Sequence, residues 1–257
     1  MKTAKAIFSF IFVASLIVLG IAYFQRDSLP GPNLVLEELH TEPDLTAALE
    51  EPFEEAYGGL TYSIKPQYSY EIYGLVVACR NPAGMPGISK TEALDALNAK
   101  NLCLIWGDNI SNGAYKYMKF TSGRLNCYFE CSPGPKQNNC GDFSYDYFSG
   151  NRFLSSDNNI KETLKSVRRG DQVYAKGYVV SYSYGDVFHD SGIRAYNFKH
   201  GEKPNEIIYL TEFKILSEAN VGWRNIYGLS KYILLFSFII LLILQLTIPL
   251  NDLRSAK

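Results

Sequence analysis

The sequence predicts a mainly β domain with short helices, a small closed or partly open barrel or else a β-sandwich, held between two transmembrane helices. Three observations carry this. Two uncharged apolar runs of nineteen residues lie near the two ends, the stretch between them has Tyr, Val and Ile in strand-like alternation, and all five cysteines fall between the runs. The 19 tyrosines suit strands and half-buried surfaces. With 25 Lys+Arg against 26 Asp+Glu, the chain lacks the basic footprint of a nucleic-acid binder, and none is expected as a partner.

The first run, "AIFSFIFVASLIVLGIAYF" from Ala6 to Phe24, is ~28 Å long as a helix at about 1.5 Å per residue, close to the ~30 Å of a hydrocarbon core. Lys2 and Lys5 also suit a signal peptide, but the run is long for one and "GIAYFQRD" has no small-x-small cleavage site, so an uncleaved anchor over 1–26 is expected. Residues 27–59 are rich in Glu, Leu and Pro and read as an acidic stalk. A β-rich domain over 60–218 follows. It opens with "LTYSIKP" and "SYEIYGLVVAC" as strands. A short helix is expected at "SKTEALDALN", with Ser89 as N-cap and Glu92 completing a capping box. Then come the strand "NLCLIW", a turn at "GDNISNG", the segment "AYKYMKF" and the strand "RLNCYFE". A second helix is expected from Asp157 to Arg169, stopped by Gly170.

"RRGDQVYAKGYVVSYSYG" predicts a strand with Val173, Ala175, Gly177, Val179 and Ser181 on one side and Tyr174, Lys176, Tyr178, Val180 and Tyr182 on the other. Gly177 marks a bend or a close backbone approach. A last strand runs from Ile207 to Leu216, and 219–231 reads as a membrane-approach segment in which Trp223 and Tyr227 suit an interface. The second span covers 232–250, "YILLFSFIILLILQLTIPL", and leaves a cytoplasmic tail at 251–257. Within it Gln245 is a lone amide, expected to pair with Ser9 or Ser15 of the first span or with another membrane chain.

Two spans put both termini on one side. Lys2, Lys5, Arg254 and Lys257 outside the spans, against Arg26 and Lys231 inside, lean toward cytoplasmic termini and a domain on the oxidising face. The cysteines there read as disulfides, Cys103 with Cys127 across neighbouring strands and Cys131 with Cys140 around "SPGPKQNN", with Cys79 left over. Zinc fits less well, because C-x3-C-x8-C lacks paired knuckles and has no nearby histidine; no metal or other cofactor is expected.

"YEIYGLVVA", "LNAKNLCLIWGDNISNGAYKYMKFTSGRLNCYF", "GDQVYAKGYVVSY" and "IIYLTEFKIL" together resemble a family of bacterial membrane-anchored proteins with no established activity. The likeness runs from about Tyr62 to Leu216, and its most specific piece is the LCxxWGDN block. It implies one domain in the periplasm of a two-pass inner-membrane protein and transfers no catalytic residue. From Gly170 to Leu216 the G-D-x-V-x-x-x-G strand is also similar to those of OB-fold barrels.

Chemistry is sparse. Neither G-x-S-x-G nor a phosphate-binding glycine loop occurs. Trp106, Asp108 and Asn109 of the WGDN block offer a ligand contact, or else a strand end with Trp106 packed in the core. Tyr174, Tyr178 and Tyr182 offer an aromatic binding face, or else cross-strand packing. The expected function is a membrane-anchored, extracytoplasmic binding module without catalysis, its partner another envelope protein or a second copy. A cell-envelope enzyme is the alternative if His189, Asp190 and Asp108 share a pocket. A haem-type chaperone is another, drawing on His189 and Tyr196.

Overall fold

The computed structural model describes residues 2–48, 50–82, 95–131, 140–191 and 202–255. The chain divides into two units, Met1–Ser28 with Asn220–Lys257, and Leu29–Ala219. The described helices are α1 (Lys2–Gln25), a single turn α2 (Asp108–Ser111), α3 (Asn158–Ser166) and α4 (Val221–Ser255). The described strands are β1 (Asp44–Ala47), β2 (Phe53–Tyr57), β3 (Leu60–Arg80), β4 (Asn98–Ile105), β5 (Met118–Ser122), β6 (Asn126–Cys131), β7 (Phe148–Leu154), β8 (Gln172–Tyr184), β9 (Val187–His189) and β10 (Glu202–Ser217).

Five strands of the second unit close a barrel. β3 pairs antiparallel with β4, β4 with β7, and β7 lies parallel to β10; β10 then pairs antiparallel with β8, and β8 with β3. Taken in chain order, the barrel strands neighbour one another as first, second, third, fifth, fourth and first again, with α3 between third and fourth. This is an OB-like barrel, as the GDxVxxxG strand leads one to expect. The period-2 alternation of β4 explains how the wall is made. Leu102 and Leu104 join Tyr70, Ile72, Val173, Ala175, Ile208 and Phe213 inside, while Cys103 and Ile105 face a second, outer cluster.

Helix α3 plugs one end of the barrel with Leu164 and, just beyond its last turn, Val167. Asp157 caps it, its Oδ1 accepting from the amides of Asn159 at 2.6 Å and Ile160 at 3.2 Å. Its other end is held by Lys100, only 2% exposed, whose Nζ donates to the carbonyls of Lys165 at 3.1 Å and Val167 at 2.7 Å. Burial lowers the pKa of Lys100. The helix stops at Ser166, earlier than the Arg169 expected, and Gly170, at φ 94°, belongs to the turn that starts β8. The helix expected from Ser89 falls largely outside the described residues.

Gly177 closes the barrel. A Cβ there would lie 2.0 Å from the carbonyl oxygen of Tyr209, at the place where the β8–β10 register shifts between Leu210 and Glu212. Only glycine allows the two backbones to approach so closely. The two-sided reading of β8 holds: Val173, Ala175 and Val179 join the barrel interior, while Tyr178, Val180 and Tyr182 lie on the other side. β3 carries an extra residue, Gln67, between the pairs Pro66↔Val180 and Tyr68↔Val179. Beyond this bulge Val180, Tyr182 and Tyr184 are all buried, in a third cluster with Tyr62, Ile64, Leu97 and Ile207.

Residues 27–59 are no free stalk: Leu29 and Leu39 are buried in the outer cluster, and β1 and β2 pair with β3. Gln172 pins this segment, accepting from the amide of Leu36 at 2.7 Å and donating to the carbonyl of Leu34 at 3.0 Å. Segment 219–231 is no separate approach, since α4 is continuous from Val221. A central strand, β7, goes unread because its buried polar residues hide the alternation. There Asn151 donates to Ser149 at 2.8 Å and accepts from the Tyr70 hydroxyl at 2.9 Å.

In the first unit α1 and α4 are both long and apolar enough to cross a membrane. They run antiparallel in a steady register: Lys5 meets Gln245, Phe12 meets Phe238 and Tyr23 meets Tyr227. The amide oxygen of Gln245 accepts from Lys5 Nζ at 2.8 Å, so its partner is neither Ser9 nor Ser15. Ser15 instead donates to the carbonyl of Phe12 in its own helix.

Candidate functional site

The face that OB folds commonly use, the outside of the second and third barrel strands, is covered by this chain itself. Cys103, Ile105 and Phe148 on that face pack under Leu29, Leu39, Ile110, Tyr115 and Cys127. The Cys103–Cys127 disulfide, with Cα atoms 5.8 Å apart, staples the β5–β6 hairpin across it, and Cys131–Cys140 closes the hairpin's far end. Both pairings are those read from the sequence, and Cys79 takes part in neither. The Phe120, Phe129, Phe143 and Phe148 rings, 4.9 to 5.9 Å between centroids, fill the space beneath the hairpin.

The WGDN block leads from the barrel interior into this covering layer. Trp106 is 6% exposed and packs inside the barrel. Gly107 adopts φ 56°, and a Cβ on it would meet the Tyr147 ring at 2.7 Å, so only glycine turns the chain here. Asn109 is fully buried; its Nδ2 donates to the carbonyls of Ser144 at 2.7 Å and Tyr147 at 3.0 Å, and its Oδ1 accepts from the Ser144 amide at 2.7 Å. All its polar capacity goes into holding the 144–147 loop. Asp108 alone is exposed, beside Tyr147, whose pKa it raises.

The three tyrosines of β8 also part company. Tyr182 is 1% exposed and donates to Asp95 Oδ2 at 2.6 Å; burial first, then that carboxylate, holds its phenol far above the ordinary value. Tyr174 packs on Tyr73 at 4.9 Å and donates to Glu71 at 3.1 Å; burial and Glu71 push its pKa up to about 12. Tyr178 donates to Glu50 at 2.8 Å, and this bond, with burial, raises its pKa. Of the six residues singled out in the sequence, only Tyr178 lines a cavity described below.

That cavity is a hollow of 290 Å³ on the side of the barrel away from the covered face, over β3, β8 and β10 and bordered by β1. Asp44, Glu50, Glu71, Lys176, Tyr178 and Thr211 supply its polar groups. Lys176 Nζ lies 3.0 Å from Glu71 Oε2 across the β3–β8 pair; this contact lowers the pKa of Glu71 and raises that of Lys176. Asp44 and Glu50 remain as an excess of negative charge. The sequence hides the hollow because its residues come from four strands, whose register sets it, and from Glu50 in the β1–β2 connection; the one local clue is the Tyr-x-Lys-x-Tyr order on β8.

Residues expected of an enzyme or a haem carrier are dispersed. His189 stacks on Tyr182 at 4.7 Å, Asp190 accepts from Gln67 at 3.5 Å, and Asp108 stands beside Tyr147. Tyr196 lies outside the described residues. His40 Nδ1 is 2.9 Å from Ser111 Oγ, but among the described residues no carboxylate hydrogen-bonds to His40 to complete a catalytic triad. Compared with known protein families, characterised proteins and solved structures, the chain matches none.

Proposed function

We propose that this chain is a two-pass protein of the bacterial inner membrane whose OB-like barrel stands in the periplasm as a binding module, docking a basic side chain of another envelope protein in the acidic hollow over β3, β8 and β10. The carrying observation is the hollow's chemistry. Its 290 Å³ lies at the small end of the roughly 300–1,000 Å³ usual for ligand sites, a size for one protruding side chain rather than a large cofactor. Two carboxylates beyond the Glu71–Lys176 pair and the Tyr178 ring suit an ammonium or guanidinium group. The apolar terminal helices support the anchor, and the two disulfides support an oxidising compartment. The bacterial placement rests on the resemblance of the WGDN block.

A photocrosslinking residue in place of Thr211, which lines the hollow and is exposed, tests the reading in intact cells. The expected result is one discrete adduct, reduced at least fivefold when Asp44→Asn and Glu50→Gln remove the excess charge, with the level of folded protein unchanged. An adduct indifferent to both substitutions, or none at all, contradicts the proposal.

A further inference from the structure

We infer that the helical hairpin carries a binding site for one anionic phospholipid, with an acyl chain in an apolar notch on the α1–α4 seam and the phosphate at Lys231; this rests on the membrane-spanning reading above. The notch has a volume of 370 Å³ and is lined by Phe12 of α1 and Leu234, Leu235 and Phe238 of α4, with Lys231 as its one charged lining residue. From Tyr227 to Lys231, from Lys231 to Leu234 and Leu235, and from those two to Phe238 the steps are three or four residues, so the five form a single stripe along α4. The stripe passes from aromatic ring to cation to apolar surface, the order met along a lipid from headgroup to tail.

The charges at this end of the hairpin point to an anion. Lys231 Nζ lies over the Tyr227 ring, 4.7 Å from its centroid, and the Arg26 guanidinium over the same ring at 4.0 Å. Arg26 is balanced by Asp27 at 3.1 Å, whereas among the described residues no carboxylate pairs with Lys231. An ammonium set directly above an apolar notch at the membrane edge is complemented by a lipid phosphate, which brings its own tail into the groove. Neutral zwitterionic lipids supply the tail but no net charge.

Native mass spectrometry of the full chain, delipidated in non-ionic detergent and offered phosphatidylglycerol or phosphatidylcholine, tests this. One phosphatidylglycerol is expected to remain bound with about a fivefold preference, the scale of one cation near an anionic surface. Lys231→Gln removes the preference, Lys231→Arg keeps it, and excess glycerol phosphate fails to displace the lipid. Equal retention of both lipids, a preference untouched in Lys231→Gln, or displacement by glycerol phosphate overturns the inference. An alkaline carbonate wash separates the two readings: a chain released into the soluble fraction ends the anchor and the lipid site together, while a retained chain without lipid preference ends the site alone.

Discussion

Gly177→Ala is expected to lower the melting temperature of the detergent-solubilised chain by about 6–12 °C, the scale for ~3 kcal/mol lost from a domain of this size. The reason is steric. A methyl group 2.0 Å from the Tyr209 carbonyl cannot be accommodated by a rotamer change, because the obstructing atom is backbone. β8 and β10 must separate at the seam where the barrel closes, which puts the cost at the upper end of the ~1–3 kcal/mol typical of overpacking. Gly228→Ala is the control, since nothing lies within 4 Å of a Cβ there, and it should leave the melting temperature unchanged. If both variants melt like the parent, the closed seam is not a feature of the folded state.

Removing the Cys103–Cys127 bridge by paired alanine substitution should cost about 3.5 kcal/mol, as estimated from loop entropy for its sequence separation of 24. The same estimate for Cys131–Cys140, separated by 9, is about 2.7 kcal/mol. The gap between them should be wider in practice. Cys103 and Cys127 are both fully buried among Leu75, Val77, Ile105 and Phe148, so truncating them also leaves space in the layer that covers the barrel. Denaturant unfolding of the two double variants ranks them; equal stabilities, or a larger loss at Cys131–Cys140, would refute this view of the hairpin staple.

Local pattern made much of the fold legible. The two apolar runs, the alternation in "NLCLIW" and the Asp157-capped helix each depend on neighbours a few residues apart, and each appears in the structure, although α4 starts at Val221, well before the expected Tyr232. Pairing information was not local. Tyr182 lies on the same side of β8 as the exposed Lys176, yet it is buried because Tyr62, Ile64 and Leu97 cover that side of the strand's far end, so no reading of β8 alone could have found it. β7 was hidden because Ser149, Asn151 and Arg152 are buried in a strand whose polar groups are satisfied by distant partners such as Tyr70. The acidic segment before β3 looked like solvated spacer because Pro43 and Pro52 break its patches of helical spacing. Its attachment comes from Leu29, Leu39 and the Gln172 amide rather than from a stripe. The hollow was the least legible part, since Asp44, Glu50 and Glu71 meet Lys176 only once β1 and β8 have both been laid against β3.

The proposed binding module requires an anchored barrel outside the cytoplasm. Fusion to a phosphatase that is active only after export tests it most directly, inserted after Asn138 in one chain and joined after Lys257 in another. Activity is expected from the first and none from the second, with both fusions present in the membrane fraction at similar levels. Activity from the Lys257 fusion and silence from the Asn138 insertion would place the disulfide-bonded barrel in the cytoplasm and overturn the proposed function.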